Sequence, residues 1–407
     1  MFKKISFAQI LLIASILGAA AGLIGGESIN VIKPLGELFV RLLFMLVPGL
    51  VFFSIASSFA NIGDIGKLKK WAGKVIGWFL LTTLVGTLIG IACGFIWKPG
   101  IGLSIEGEKV NSVQKLTAST FLEWIPKNAL GAIAEGNIIQ IVIFAVIAGF
   151  AIVLMRDGKE KDFLQNLLNS GMTLFVTIAK YVMYYAPIGV FALMASSLST
   201  FRGALIVEMA SFLTACTIGF VVHIALLYFF AFWLITKLNV FTFTKKIFPA
   251  LITAFTTCSS AATMPVTLQC TKDVGVADEL ADFGVPLGVT FNMDSMAVEI
   301  PLYIMLGMYA LGTPPTFIEV LQFVILGVLF SIGCAGVPGG GLAIATILVQ
   351  AFNLPIQVVA WIAAVFAYLD ITGTAINVWG DIVCTTIVAK TEGMLDEEKF
   401  LSVNSIG

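Results

Sequence analysis

Apolar runs far longer than a soluble core requires recur along almost the whole chain. They lie near 8–26, 35–60, 72–97, 137–155, 165–197, 205–236, 277–308 and 355–390. Each is close to, or longer than, the roughly 20 residues a helix needs to cross a bilayer. Runs longer than about 25 residues must tilt, kink or protrude. Of 407 residues, 59% are hydrophobic and only 12% charged, so lipid is the solvent for most of the exterior. The expected fold class is an all-α polytopic membrane protein with eight transmembrane helices. Lys3 and Lys4 before the first run give it a signal-peptide look, but the rest of the chain is equally apolar. A first membrane helix is the better reading.

A net charge of −1 speaks against nucleic acid as a partner. The six cysteines (Cys93, Cys216, Cys258, Cys270, Cys334, Cys384) are scattered through apolar segments without a CxxC pair. They read as small buried residues. The one histidine, His223, sits in the run VVHIALL and reads as packed or cavity-facing rather than catalytic.

Two further stretches, 241–274 and 315–350, are apolar but broken at their centres by small and polar residues. The first break runs from Thr256 to Thr263, the second from Cys334 through Gly336, Pro338 and Gly339 to Gly341. A continuous helix through glycine and proline of that density is costly. Each stretch is expected to form two short helices meeting at a tip, a re-entrant hairpin. Irregular backbone at membrane depth survives only where protein buries it or it lines a wet cavity, so both tips point to a site.

Charge sorts the loops. Lys3/Lys4, Lys67/Lys69/Lys70/Lys74, Arg156/Lys159/Lys161, Lys237/Lys245/Lys246, Lys272 and Lys390/Lys399 fall on one side of an eight-span arrangement. The positive-inside rule places that side, and both termini, in the cytoplasm. The first hairpin then enters from inside and the second from outside, as inverted repeats require. The long polar loop at about 98–135 is expected outside.

The last span carries the densest chemistry. Asp370, Thr374, Asn377 and Asp381 are spaced four, three and four apart and so form one polar stripe on an apolar helix. A carboxylate at membrane depth costs roughly 2.5–3.5 kcal/mol unless a cation, a donor or water compensates it. In the seventh span, Asn292 and Asp294 lie two apart, so both point inward only if the helix unwinds there. Unwound carbonyls together with carboxylates are hard ligands suited to sodium. Thr82 and Thr83 in the third span offer further hydroxyl oxygens, although membrane threonines usually bond their own backbone. No Walker-type loop, histidine pair or GxSxG is present, so ATP drive, transition-metal binding and hydrolase chemistry are not indicated.

Four pieces, SSAATMPVT at 259–267, PLGVTFNMD at 286–294, SIGCAGVPGGG at 331–341 and LDITGTAINVWGD at 369–381, together resemble the glutamate transporter homologue family of dicarboxylate/amino acid:cation symporters. The resemblance implies two opposed re-entrant hairpins, a homotrimer in the cell membrane, and elevator-type alternating access. It divides the chain into scaffold helices at 1–66, a transport-domain helix at 67–98, an extracellular loop at 99–136, scaffold helices at 137–200, a transport-domain core at 201–395 and a cytoplasmic tail at 396–407. It also implies site roles. Asp370 binds the substrate ammonium and Asn377 the α-carboxylate and amine region, with Gly373 and Thr374 beside them. Ser259 and Ser260 belong to the first tip, Val337 and Gly341 to the second, lid-like tip. One sodium (Na+) site comprises Gly288, Asn292, Asn377 and Asp381. A second comprises Thr290, Met293, Ser331, Ile332 and Cys334, and a third Thr82, Thr83, Asn292 and Asp294. At the third, Met296 and Phe79 stand where the family carries threonine and tyrosine, which removes two oxygens.

Acidic-substrate members place an arginine three residues after the ammonium-binding aspartate; here that residue is Gly373, and no lysine or arginine lies within 359–389. A substrate carboxylate there is left without a cationic partner. The expected cargo is therefore a small neutral amino acid of the alanine, serine, threonine or cysteine kind, driven by sodium. A proton-coupled amino acid or dicarboxylate symporter of the same fold is the alternative, with Asp294, Glu299 or Asp381 as carrier. Glu299 has no basic partner in its span and is expected either to carry a proton or to face a polar neighbour. A channel does not need two lid-like tips, and a membrane enzyme needs an acid–base pair that does not stand out.

Overall fold

In a computed structural model the described residues are 7–61, 70–103, 124–333 and 339–401. Lys3, Lys4, Lys67, Lys69, most of the long polar loop, and Cys334 to Pro338 of the second break lie outside them. The described residues are mostly helical, with no strand among them beyond an isolated bridge between Val276 and Leu395. The helices are α1 (Phe7–Gly25), α2 (Lys33–Ala60), α3 (Lys70–Trp97), α4 (Ala129–Glu135), α5 (Ile138–Leu154), α6 (Lys159–His223), α7 (Phe232–Thr236) and α8 (Val240–Thr257). They continue with α9 (Ser260–Asp273), α10 (Asp278–Phe291), α11 (Asp294–Ala310), α12 (Phe317–Gly333), α13 (Gly340–Ala351), α14 (Gln357–Thr391) and α15 (Glu397–Leu401). Among the described residues, five helical stretches are long and apolar enough to cross a membrane. Large apolar side chains face outward, Ile24, Leu154 and Phe241 among them, as lipid-facing surface requires.

The elements follow the apolar runs to within a few residues, with one difference. The runs expected at 165–197 and 205–236 are joined, because residues 198–204 stay helical inside α6. The sequence there, LSTFRGA, contains no proline, and a single glycine costs a helix only about 1 kcal/mol. The two halves of α6 nevertheless take different partners. The first runs antiparallel to α2, where Gly171 accommodates Phe53, Gly189 accommodates Phe39 and Gly36 accommodates Leu193. Small residues opposite bulky ones let helices approach closely where lipid provides no hydrophobic drive. The second runs antiparallel to α3, with Ser211 bonded to the Trp97 carbonyl and the His223 ring against Gly86. Glu208 accepts the N–H groups of Gly100 (2.7 Å) and Gly102 (3.0 Å) and so ties down the chain after α3. Immediately past His223, residues Ile224–Ala231 form a π-helical segment. Such segments are rare and often mark functional positions.

Helices α8 and α9 form an antiparallel pair. Lys246 near the start of α8 donates to the Asp273 carbonyl (3.3 Å) at the end of α9, and Thr257 meets Thr263 (3.0 Å) at the other end. The turn is Cys258, held at φ 51°, followed by Ser259, whose side chain caps α9 by accepting the Ala262 N–H (3.2 Å). Helix α14 runs through the middle of the C-terminal half, buried along most of its length against α8, α9, α10, α11 and α13. That placement brings its polar stripe into the protein interior. Ion pairs Lys272–Asp282 (2.8 Å), Lys74–Glu392 and Lys390–Glu397 gather at one end of this half.

Candidate substrate and cation site

The seventh span breaks where the two-residue spacing of Asn292 and Asp294 requires it. Asn292 and Met293 lie between α10 and α11 with φ/ψ of −127°/74° and −101°/69°. The break turns a ring of polar groups toward α14. Asn292 Nδ2 donates to Asp381 Oδ1 (3.2 Å), and Thr82 Oγ1 donates to Asn292 Oδ1 (3.1 Å). Ser331 of α12 bridges the Met293 backbone, accepting its N–H (3.1 Å) and donating to its carbonyl (3.0 Å). Asn377 Oδ1 accepts the Ser295 N–H (2.9 Å), while its amide lies 3.2 Å from Met293 Sδ. All these side chains are buried.

The first expected cation cluster is largely assembled. Gly288 lies directly against the Asp381 carboxylate, where any Cβ would collide with it. Asp381 is fully buried, and its Oδ2 has no hydrogen-bond partner among the described residues. An orphaned carboxylate oxygen beside an amide and glycine backbone fits an alkali cation. Asn377 stands nearby, with its oxygen turned to Ser295. Of the second cluster, Met293 and Ser331 are in contact, Ile332 is buried beside Ser331, and Thr290 donates to the Leu287 carbonyl (3.1 Å). Cys334 lies outside the described residues. No group of three or more His, Cys, Asp and Glu is poised for a metal ion among the described residues.

The third cluster is arranged differently. Thr82 is spent on Asn292 and the Phe79 carbonyl, and Thr83 Oγ1 faces Ser331 Oγ (3.4 Å). Asp294 instead meets the π-helical region. Its Oδ2 accepts the Tyr228 hydroxyl (2.6 Å) and lies 3.4 Å from His223 Nε2. Its Oδ1 has no partner among the described residues. His223, expected to be packed or cavity-facing, is fully buried beside Asp294, whereas Tyr228 was not singled out in the sequence. The one available signal was a histidine buried in an otherwise apolar run.

Beside the Asn292–Met293 break, with Met293 in its wall, lies a small cavity of about 30 Å³. Cys258, Ser260, Gly341, Thr374 and Asn377 contribute to its wall, with Met296, Phe366 and Leu369 as apolar panels. Asp370 and Glu299 present the two carboxyls. No lysine or arginine lines it among the described residues, and the tip segment 334–338 contains none. Asp370 is half-buried and accepts the Gly339 N–H at 3.4 Å, while Thr374 donates to the Asp370 carbonyl (2.7 Å). Both interrupted stretches thus reach one cavity. Ser259, also expected at the site, spends its hydroxyl on capping α9 and lines a larger, nearly apolar groove of about 410 Å³ against α2 and α6. That groove lacks convergent polar groups, so the smaller cavity is the candidate site. Val337 lies outside the described residues. Of the six cysteines, Cys93, Cys216, Cys258, Cys270 and Cys384 are buried free thiols.

A family model described as the sodium:dicarboxylate symporter family matches residues 7–391. Three relatives align over nearly the whole chain. A proton/sodium-glutamate symport protein of Geobacillus stearothermophilus is 27% identical over 98% of this chain and 97% of its own. The human neutral amino acid transporter B(0) is 28% identical over 97% of this chain and 82% of its own. A C4-dicarboxylate transport protein of Caulobacter vibrioides is 26% identical over 95% of each.

Proposed function

Because the chain belongs to the sodium:dicarboxylate symporter family, and so is a membrane-embedded multi-pass symporter rather than an enzyme, we propose that it carries small neutral amino acids driven by sodium. The observation that carries the substrate reading is the cavity's charge: two carboxyls and no cationic side chain among the described residues. A zwitterion brings one ammonium for Asp370, and the hairpin tips take its α-carboxylate. A dicarboxylate or an acidic amino acid brings a further anion that nothing there neutralises, at a cost of several kcal/mol. This favours the cargo in the name of the human relative over those of the two bacterial relatives.

Sodium is supported by the orphaned Asp381 oxygen beside Gly288 and Asn292. Cation and substrate share structure there. Asn292, Met293 and Ser295 are consecutive or nearly so; Asn292 bonds Asp381, while Met293 and Ser295 hold Asn377 at the cavity wall. A cation that orders the Asn292–Met293 break therefore also orders the substrate cavity, which is a coupling free energy between the two. We assign the α8–α9 and α12–α13 pairs as opposed re-entrant hairpins closing this cavity. Together with α3, the second half of α6, α10, α11 and α14 they form a transport domain moving as an elevator against the remaining helices, in a homotrimer of the cell membrane with cytoplasmic termini.

Uptake of radiolabelled amino acids into proteoliposomes tests this. Alanine, serine, threonine and cysteine are expected to accumulate under a sodium gradient. Tight, saturable aspartate uptake that alanine and serine do not compete would contradict the substrate reading. Concentrative uptake that persists when choline replaces sodium at constant pH would favour the proton-coupled alternative.

A further inference from the structure

The buried Glu299 has no role in the cation cluster, yet its carboxyl forms part of the cavity wall. It sits on α11, one turn after Ser295 and one turn before Tyr303. The fully buried Tyr303 hydroxyl donates to Glu299 Oε2, which fixes the carboxyl's orientation. The other oxygen points toward α14. A Cβ built at Gly373 would stand 3.3 Å from Glu299 Oε1 and 2.7 Å from Ser295 Oγ. Ser295 and Glu299 therefore fill the space that any side chain at position 373 would need. The cavity's far wall is then made of acceptors from α11 rather than of a cationic side chain from α14.

We propose that Glu299 is a specificity-determining residue: its carboxyl accepts a hydrogen bond from the substrate's side chain, so that serine and threonine are taken in preference to alanine and valine. The proposal rests on the neutral amino acid reading above. With the ammonium on Asp370, the side chain is the part of a bound amino acid left to meet the Ser295–Glu299 wall. A hydroxyl satisfies that wall. A methyl group leaves a buried carboxyl oxygen desolvated and unpaired, which is the expensive outcome. Sites built to hydrogen-bond a hydroxyl reject the analogue lacking it far more strongly than apolar pockets reject an added hydroxyl. The confined cavity, with Met296, Phe366 and Leu369 on its walls, limits the choice to short side chains.

Threonine and valine have the same shape, so their affinity ratio reads the hydroxyl alone. Calorimetric titration of the purified protein in sodium buffer with serine, threonine, alanine, valine and lysine tests the proposal. Threonine is expected to bind at least about tenfold tighter than valine. Glu299→Leu is expected to bring that ratio near one while alanine still binds, and Glu299→Gln, which retains an acceptor oxygen, to keep the preference for threonine. A wild-type threonine-to-valine ratio near one, with alanine binding in a sodium-dependent way, overturns the proposal and leaves the neutral reading standing. The wild-type ratio decides this even if Glu299→Leu does not fold. An unchanged ratio in folded Glu299→Leu, or lysine binding tighter than threonine, overturns it as well. Failure of every neutral amino acid to bind overturns the underlying reading and the proposal together.

Discussion

Asp381 and Asp294 sit within one buried cluster, both fully out of solvent, and Gly380 packs against the Asp294 carboxylate. Their surroundings differ. Asp381 has one amide donor, from Asn292, on Oδ1, the oxygen that Gly288 also lies against. Asp294 has a tyrosine hydroxyl at 2.6 Å and an imidazole at 3.4 Å. A buried carboxylate needs compensation from somewhere. Each carboxylate has one oxygen without a partner among the described residues, but the Tyr228 hydroxyl at 2.6 Å is a closer donor to Asp294 than the Asn292 amide at 3.2 Å is to Asp381, so the protein supplies more of the compensation at Asp294. If sodium drives transport as proposed, the dependence is expected to fall chiefly on Asp381, with Asp294 contributing less. The two oxygens that the resemblance leads one to expect at Phe79 and Met296, and that this chain lacks, belong to the expected Asp294 cluster.

The sharpest way to break the comparison is to neutralise each aspartate in turn. Asp381→Asn is expected to weaken sodium affinity by about 10- to 100-fold, the equivalent of one charge-assisted contact. Sodium-dependent thermal shift of the purified variant measures this. Gly380→Ala comes next. Its Cβ would stand 2.5 Å from the Tyr228 hydroxyl and 2.7 Å from Asn292 Nδ2, so overpacking of roughly 1–3 kcal/mol is expected as a lowered melting temperature. Asp294→Asn is expected to weaken sodium affinity by less than about tenfold, because a neutral amide still accepts the Tyr228 hydroxyl. If Asp294→Asn proves as damaging as Asp381→Asn, the two carboxylates are equivalent and the division fails. Tyr228→Phe is the mildest change, shifting sodium affinity by no more than about threefold and stability by about 1 kcal/mol, read from the same melting curves.

Much of this was legible in the sequence because lipid imposes simple rules. The apolar runs set helix positions, and 3.6-residue periodicity put Asp370, Thr374, Asn377 and Asp381 on one face of α14. The two-residue spacing of Asn292 and Asp294 announced the unwound turn between α10 and α11. The tip at Cys258 and Ser259 followed from a run of small polar residues. What stayed hidden depends on contacts between distant segments. Nothing local pairs Tyr228 with Asp294, 66 positions away, and no pattern marks a π-helical turn inside an apolar helix. The wall role of Glu299 was equally hidden, because it arises only when α11 meets α14 at Gly373. The runs at 165–197 and 205–236 were expected as separate spans, and they join in α6 because the residues between them lack the breaking power of proline.

The most direct test of the central claim is the melting temperature of the purified protein titrated with sodium, with choline at matched ionic strength as reference. A ligand that binds only the folded state raises stability by RT ln(1 + [L]/Kd), so a saturating sodium-specific rise is expected in the wild type, strongly reduced in Asp381→Asn. A wild-type melting temperature identical in sodium and choline, or a rise that Asp381→Asn leaves intact, would contradict the account.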